Sequence, residues 1–216
     1  STFAIPAILC LSPLIIGDLE HPWIFVVGGI AMCTALVAPA SLRIDFRRDL
    51  NRTMFLRSFP ASPTAVALGQ IAWPTIVTII FQTTVLVPAA LLLDVPPHDA
   101  LIWWIMLACL SIIVFALENA FFLCFPHHVR DQGISVIVRT KLVFFVKTAM
   151  LLVALSTLAV WSQVAKDMGL PTLVAMLGTI MMCIVAASFA SWILIFVWAR
   201  FDVADAQHRF AAEVST

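Results

Sequence analysis

The chain has 216 residues, of which 62% are apolar and 11% charged, and its formal net charge is zero. A water-soluble domain is nearer half apolar and a quarter charged, and a compact fold of this length leaves much of its surface facing solvent. This composition therefore excludes a soluble globule and makes lipid the expected solvent. Unbroken apolar runs, in place of the strand-length alternation of a barrel, make helices the spanning element, and the charge balance gives no sign of a nucleic-acid partner.

A hydrocarbon core of ~30 Å takes about 20 helical residues to cross. By that length the expected fold is all-α, a single transmembrane bundle over 1–216 with six spans, at about 1–17, 22–42, 64–93, 100–126, 142–162 and 172–199. The first is short and starts at the first residue, without an initiator Met or a basic leader, so the expectation is a chain cut from a longer protein. Gly28, Gly29, Ala31, Ala35 and Ala38 mark a small-residue face on the second span. Ala186, Ala187, Ser188, Ala190 and Ser191 do so on the sixth. Such faces let helices approach closely, either within the chain or across a homodimer seam. Pro74 and Pro88 are expected to bend the third span or free carbonyls within it.

Charge sets the orientation. Arg43, Arg47, Arg48, Arg52 and Arg57 follow the second span; Arg130, Arg139, Lys141 and Lys147 lie around the start of the fifth; Arg200 and Arg209 close the chain. With six spans these fall on one side and only Lys166 on the other, so that side is expected to be cytoplasmic, with both termini there. Trp23, Trp103, Trp104 and Trp161 then fall near the outer boundary and Trp198 near the inner one, as an interfacial belt. The expected location is the cytoplasmic (inner) membrane of the cell, in contact with its lipid.

The segment 43–60 reads as a short amphipathic helix on the inner surface. Leu42, Phe46, Leu50 and Met54 recur every four residues, Arg43, Arg47, Arg48 and Arg52 fill the other faces, and Asp45 and Asp49 stand three residues before Arg48 and Arg52. Pro60 ends it, and Ser62-Pro63 reads as the N-cap and first residue of the third span. The segment either sets topology alone or docks a cytoplasmic partner. A second loop, 127–141, opens with His127 and His128, which as neighbours cannot share a helical face and lack further ligands for a metal.

Within the spans, Glu118 is the acidic residue set deepest, about two turns from the inner end of the fourth, beside Asn119. An intramembrane carboxyl is costly. It serves either function or hydrogen-bonded packing inside the bundle, with Gln70 and Gln82 of the third span as candidate partners. Cys10, Cys33, Cys109, Cys124 and Cys183 all lie in apolar runs without a CxxC pair, and read as small packing residues.

The run Phe46-Arg-Arg-Asp-Leu-Asn-Arg52, then Met54-Phe-Leu-Arg-Ser-Phe-Pro-Ala-Ser-Pro63 and Val66-Ala-Leu-Gly-Gln70, resembles the FRxDLxxxxxLxxLPxxPxxVxxGQ segment of ABC exporter permeases of the ABC-2 type. Glu118-Asn-Ala-Phe-Phe-Leu-Cys-Phe-Pro126 and Arg200-Phe-Asp-Val203 are similar to later segments of that family, so the resemblance covers about 40–205. Phe59 departs from the usual Leu, and Asn51-Arg52-Thr53 from a more acidic stretch. The resemblance implies a membrane subunit that forms a path, while ATP is bound and hydrolysed by a separate ATPase. The present chain carries no GxxxxGK[ST] phosphate loop, and no cofactor of its own is expected. It also implies that Arg43, Phe46, Arg47, Arg48, Leu50, Arg52, Met54, Arg57 and Arg130 are the docking candidates. The expected partners are that ATPase and either a second permease copy or the missing N-terminal half.

Two other classes compete. A membrane enzyme would need a catalytic cluster, yet there is no HExxH and His21, His98, His127, His128 and His208 all fall outside the expected spans. A haem-carrying subunit would want histidines within them. A noncatalytic scaffold or assembly subunit stays open.

Overall fold

The computed structural model describes residues 4–12, 22–42, 60–124, 141, 145, 148–149, 156–157 and 159–201. Their elements are α1 (Ala4–Leu11), α2 (Pro22–Ser41), α3 (Pro63–Leu92), α4 (Pro97–Cys124) and α5 (Thr172–Arg200). Residues 159–167 are also helical, and no strand occurs among the described residues. Helices α2 to α5 are each long and apolar enough to cross a membrane. This is a helical, multi-pass membrane architecture. The segment 43–59, the loop 127–140 and most of the fifth expected span lie outside the described residues. Where the two can be compared, the boundaries agree within one residue, except that α4 opens three residues early, at Pro97, and ends two early, and that the helix at the end of the fifth expected span runs to Asp167, five residues past 162. His98 therefore stands in the first turn of a helix, with an exposed ring.

The chain packs as two units, one of residues 1–126 with 183–216 and one of 127–182. In the first, the surface is apolar and the interior partly polar, the reverse of a soluble protein. On α3 the exposed residues include Trp73, Ile76, Ile80, Val87 and Leu91, while the buried face carries Thr75, Thr78 and Gln82 among Ala67, Ile71, Phe81, Val85, Leu86 and Ala89. Exposed Leu and Ile at helical spacing would be unfavourable in water and cost nothing in hydrocarbon.

Two apolar clusters hold this unit. Near the α3–α4 turn, Cys10, Val26, Val27, Ile30, Phe81, Val85, Leu86, Ala89 and Leu107 join α1 to α4. At the far end Ala38, Ala67, Ile71, Phe115, Ala116, Ala120, Leu194 and Trp198 join α2, α3, α4 and α5. Trp198 is a core residue there, stacked on Phe201 at 6.3 Å, and does not serve the expected inner belt. The small residues are used unevenly. A Cβ at Gly29 would meet the Cα of Cys10 at 3.4 Å, so this glycine lets α1 lie close on α2, whereas Gly28 faces open space. Ala187 and Ala190 are buried within the chain, while Ala186 and Ser188 are exposed.

Local chemistry explains the helix ends. Ser62 Oγ accepts from the Ala65 N–H at 3.2 Å with Pro63 at the first helical position, as the sequence predicts. At the other end of α3, Asp94 adopts φ 50° and the Val95 N–H reaches back to the Ala90 carbonyl at 3.0 Å, closing a Schellman turn on a non-glycine residue. Gly169 does the same at φ 60°, with the Leu170 N–H on the Ala165 carbonyl.

In the second unit, the Trp161 indole N–H donates to the Ala175 carbonyl at 3.0 Å, and a Cβ on Gly178 would fall 2.3 Å from the ring. A methyl at 178 must therefore displace the indole.

Thermal unfolding in detergent should show three effects. Ser62→Ala should cost about 1 kcal/mol. Asp94→Gly should stabilise by about 0.5–1 kcal/mol by relieving the left-handed backbone. Gly178→Ala should cost about 1–3 kcal/mol by overpacking Trp161.

Candidate functional site

Between the two apolar clusters lies a polar layer, and it begins with a proline. Pro39, in the last turns of α2, has no N–H, and its ring would crowd the carbonyl of Ala35 four residues back. Just before it the helix widens into a π turn over Cys33–Val37, closed by the Ala38 N–H on the Cys33 carbonyl. Such single π turns inside α-helices recur at functional sites. Thr34 sits inside this turn, fully buried.

Thr34 meets Gln82 of α3. The Gln82 side-chain amide nitrogen lies 2.9 Å from Thr34 Oγ1, 2.8 Å from Ser111 Oγ and 3.1 Å from the Leu107 carbonyl. Ser111 in turn donates to the same Leu107 carbonyl at 3.0 Å. A backbone carbonyl can only accept, so the atom facing Leu107 has to be the NH₂ group, and this settles which way the amide points. One side chain thus ties α2, α3 and α4 together.

The same assignment leaves a residue of chemistry over. Gln82 is 0% exposed, and its Oε1 has no hydrogen-bond partner among the described residues. Two turns along the same face of α3, Thr75 Oγ1 is also buried and without one. Thr78, between them, is satisfied by the Pro74 carbonyl at 2.8 Å. The helix runs unbroken through Pro74 and Pro88, with no N–H at either residue, so the carbonyls of Gln70 and Thr84 lose their usual intrahelical donors.

Glu118 and Asn119 are both buried on α4, the first 8% exposed and the second not at all, and Asn119 donates to the Phe115 carbonyl at 2.9 Å. Helices α3 and α4 are joined by a tight turn and run antiparallel, with Gln82 against Ser111. Seven residues from that contact, Thr75 and Glu118 come to about the same depth, ~10 Å from it. The polar groups therefore form a seam, from Gln82, Thr34 and Ser111 to the level of Thr75 and Glu118. Gln70, a further turn along α3, is half-buried.

Sequence reasoning singled out Glu118, Asn119, Gln70 and Gln82, and the seam contains three of them. It offered Gln70 and Gln82 as candidate partners of Glu118, and the Gln82 amide nitrogen lies instead about two turns away, against Thr34, Ser111 and the Leu107 carbonyl. It missed Thr34, Thr75, Thr78 and Ser111. The available signals were the i, i+3, i+7 spacing of Thr75, Thr78 and Gln82, which puts three polar groups on one helical face, and Pro39 five residues beyond Thr34. Arg43, Phe46, Arg47, Arg48, Leu50, Arg52, Met54, Arg57 and Arg130 lie outside the described residues.

Among the described residues no group of three or more His, Cys, Asp or Glu side chains is placed to hold a metal ion. Cys10 and Cys33 are free thiols with their sulfurs 3.5 Å apart. No protein-family model, curated protein or solved structure matches this chain.

Replacing Gln82 by Leu removes the bonds joining three helices while leaving Ser111 its bond to the Leu107 carbonyl. A loss of about 1 kcal/mol in thermal unfolding is expected, in keeping with interhelical hydrogen bonds in membranes. Ile80→Ala on the exposed face of the same helix should change stability by less than about 0.5 kcal/mol, because it vacates no packed site.

Proposed function

We propose that this chain is the permease subunit of an ATP-driven, ABC-type transporter, an exporter by resemblance, which provides the membrane path and docks a separate ATPase. The observation that carries the reading is the buried polar seam. Thr34, Thr75, Thr78, Gln82, Ser111, Glu118 and Asn119 gather inside a bundle whose lipid-facing surface is apolar. A carboxyl at membrane depth is costly and is a functional candidate by default, and here it stands with uncharged polar groups that also join the helices. The run 46–70, with its likeness to ABC-2 type permeases, supports the same reading and supplies the energy source.

In this reading the chain crosses the cytoplasmic membrane six times. Eleven of its twelve lysines and arginines lie on the cytoplasmic side with both termini. The segment 43–60 sits in the inner interface as an amphipathic helix, and its arginines meet the ATPase, with Arg130 of the next inner loop. Two copies of the chain, or this chain and a preceding half, frame the path. ATP-driven closure of the ATPase pushes on 43–60 and rocks the helices around the seam.

Purification of the full chain in mild detergent should bring down an ATPase whose hydrolysis rises with the permease bound. A scaffold would bring down proteins without that response. Reversing Arg47, Arg48 and Arg52 to Glu should abolish the stimulation while leaving the amount and melting temperature of the chain unchanged. Undiminished stimulation would remove 43–60 from the coupling contact. Thiol labelling of introduced cysteines should reach 43–57 and 130–141 from the same compartment. Labelling from opposite sides would overturn the six-span topology.

A further inference from the structure

We propose that the seam between α2, α3 and α4 is a water-entered site for neutral hydrogen-bonding groups, with Gln82 Oε1 as its principal contact. This deepens the permease reading and rests on it for the passenger, although the entry of water can be measured without it. Three observations converge. Gln82 Oε1 is an acceptor with no exposure and no donor among the described residues. Thr75 Oγ1 is in the same condition about 10 Å along the same face. The π turn of α2 stands against Gln82 through Thr34.

Buried polar atoms in folded chains almost always have partners, and one left unpaired costs about 1–3 kcal/mol. Two such atoms on one face of one helix are therefore places where a donor from outside the protein belongs. The Leu107 contact determines the kind of donor. The two N–H groups of the amide are taken up among the Leu107 carbonyl, Thr34 and Ser111, so what Gln82 offers is a lone pair, which recognises an O–H or N–H.

The ligand class follows from charge. The groups around Gln82 itself, Thr34, Ser111 and the Leu107 carbonyl, are uncharged, and the Glu118 carboxyl lies ~10 Å along the seam, so a fully ionised group at Gln82 would find dipoles and no adjacent counter-charge. Water, an alcohol or an amide N–H satisfies the site without that penalty. The apolar clusters on either side then act as dry closures, with Val85, Leu86 and Leu107 toward the α3–α4 turn and Ala67, Ile71, Ala120 and Leu123 at the far end.

The test uses the full chain in membrane vesicles, with its five native cysteines replaced by Ala and single cysteines introduced at 75, 82, 80 or 87. The probe is methyl methanethiosulfonate, a small neutral reagent that reacts with thiolate and so requires water at the thiol. Gln82→Cys and Thr75→Cys should be modified at least about tenfold faster than Ile80→Cys and Val87→Cys, which lie on the exposed apolar face. Rates equal to those controls would overturn the proposal. If Gln82→Cys does not accumulate as folded protein, Ser111→Cys and Thr34→Cys replace it under the same criterion.

Adding Gln82→Leu to the Thr75→Cys chain should slow modification at 75 by about tenfold, because an apolar branch at the contact dries the seam. An unchanged rate would remove Gln82 as the contact. The two readings fail separately. Fast modification without a co-purifying ATPase leaves the hydrated site and removes the ABC permease. Slow modification with a stimulated ATPase leaves the permease and moves its path elsewhere.

Discussion

Hydrocarbon offers no hydrogen bonds, and nearly every feature of this chain follows from that. The backbone must satisfy itself, so the described elements are helices. Apolar side chains gain nothing by hiding from lipid, so Trp73, Ile80, Leu91 and Phe189 can face outward. Polar side chains do gain by hiding, since only other helices can serve them. The interior of the first unit accordingly holds a polar seam between apolar clusters. Gln82 is the clearest instance, because one amide nitrogen reaches partners on α2 and α4 and joins three helices that the hydrophobic effect alone would not draw together in lipid.

The π turn shows how a local backbone rule becomes a feature of the site. Pro39 cannot donate and crowds the carbonyl four residues before it, and the helix widens over Cys33–Val37. Widening shifts every later side chain of α2 around the axis, and Thr34 inside the turn becomes the partner of Gln82. Gly29, a turn earlier, allows Cys10 of α1 to lie against the same helix, so α2 meets α1 through a missing side chain and α3 through a hydroxyl.

The sequence made the helices legible and the site only partly so. Long apolar runs located α2, α3, α4 and α5 to within about three residues, and Ser62-Pro63 marked the start of α3, because hydropathy and capping are local properties. Glu118 and Asn119 stood out since a carboxyl deep in a span is rare. Thr34, Thr75, Thr78 and Ser111 did not, because threonine and serine are tolerated anywhere in a membrane helix by bonding to their own backbone. Only the facing helix gives them meaning. Trp198 misled for the same reason: its place near a helix end suggested an interface, while its neighbours made it core. The pairing of Gln82 likewise depended on the register between α3 and α4, which no single-span pattern contains.

The four residues Leu93 to Pro96 connect α3 to α4 through the left-handed Asp94. So short a link cannot let one helix enter the bilayer while the other waits outside. Under the proposed topology the two are inserted as a single hairpin, with the tip carried across as a unit. From Leu93 to Asp99 that tip holds two aspartates and one histidine, without lysine or arginine. It therefore lacks the residues that retain a loop on the side of synthesis. The polar seam is then half assembled at the moment of insertion, when Gln82 already faces Ser111 and waits only for α2.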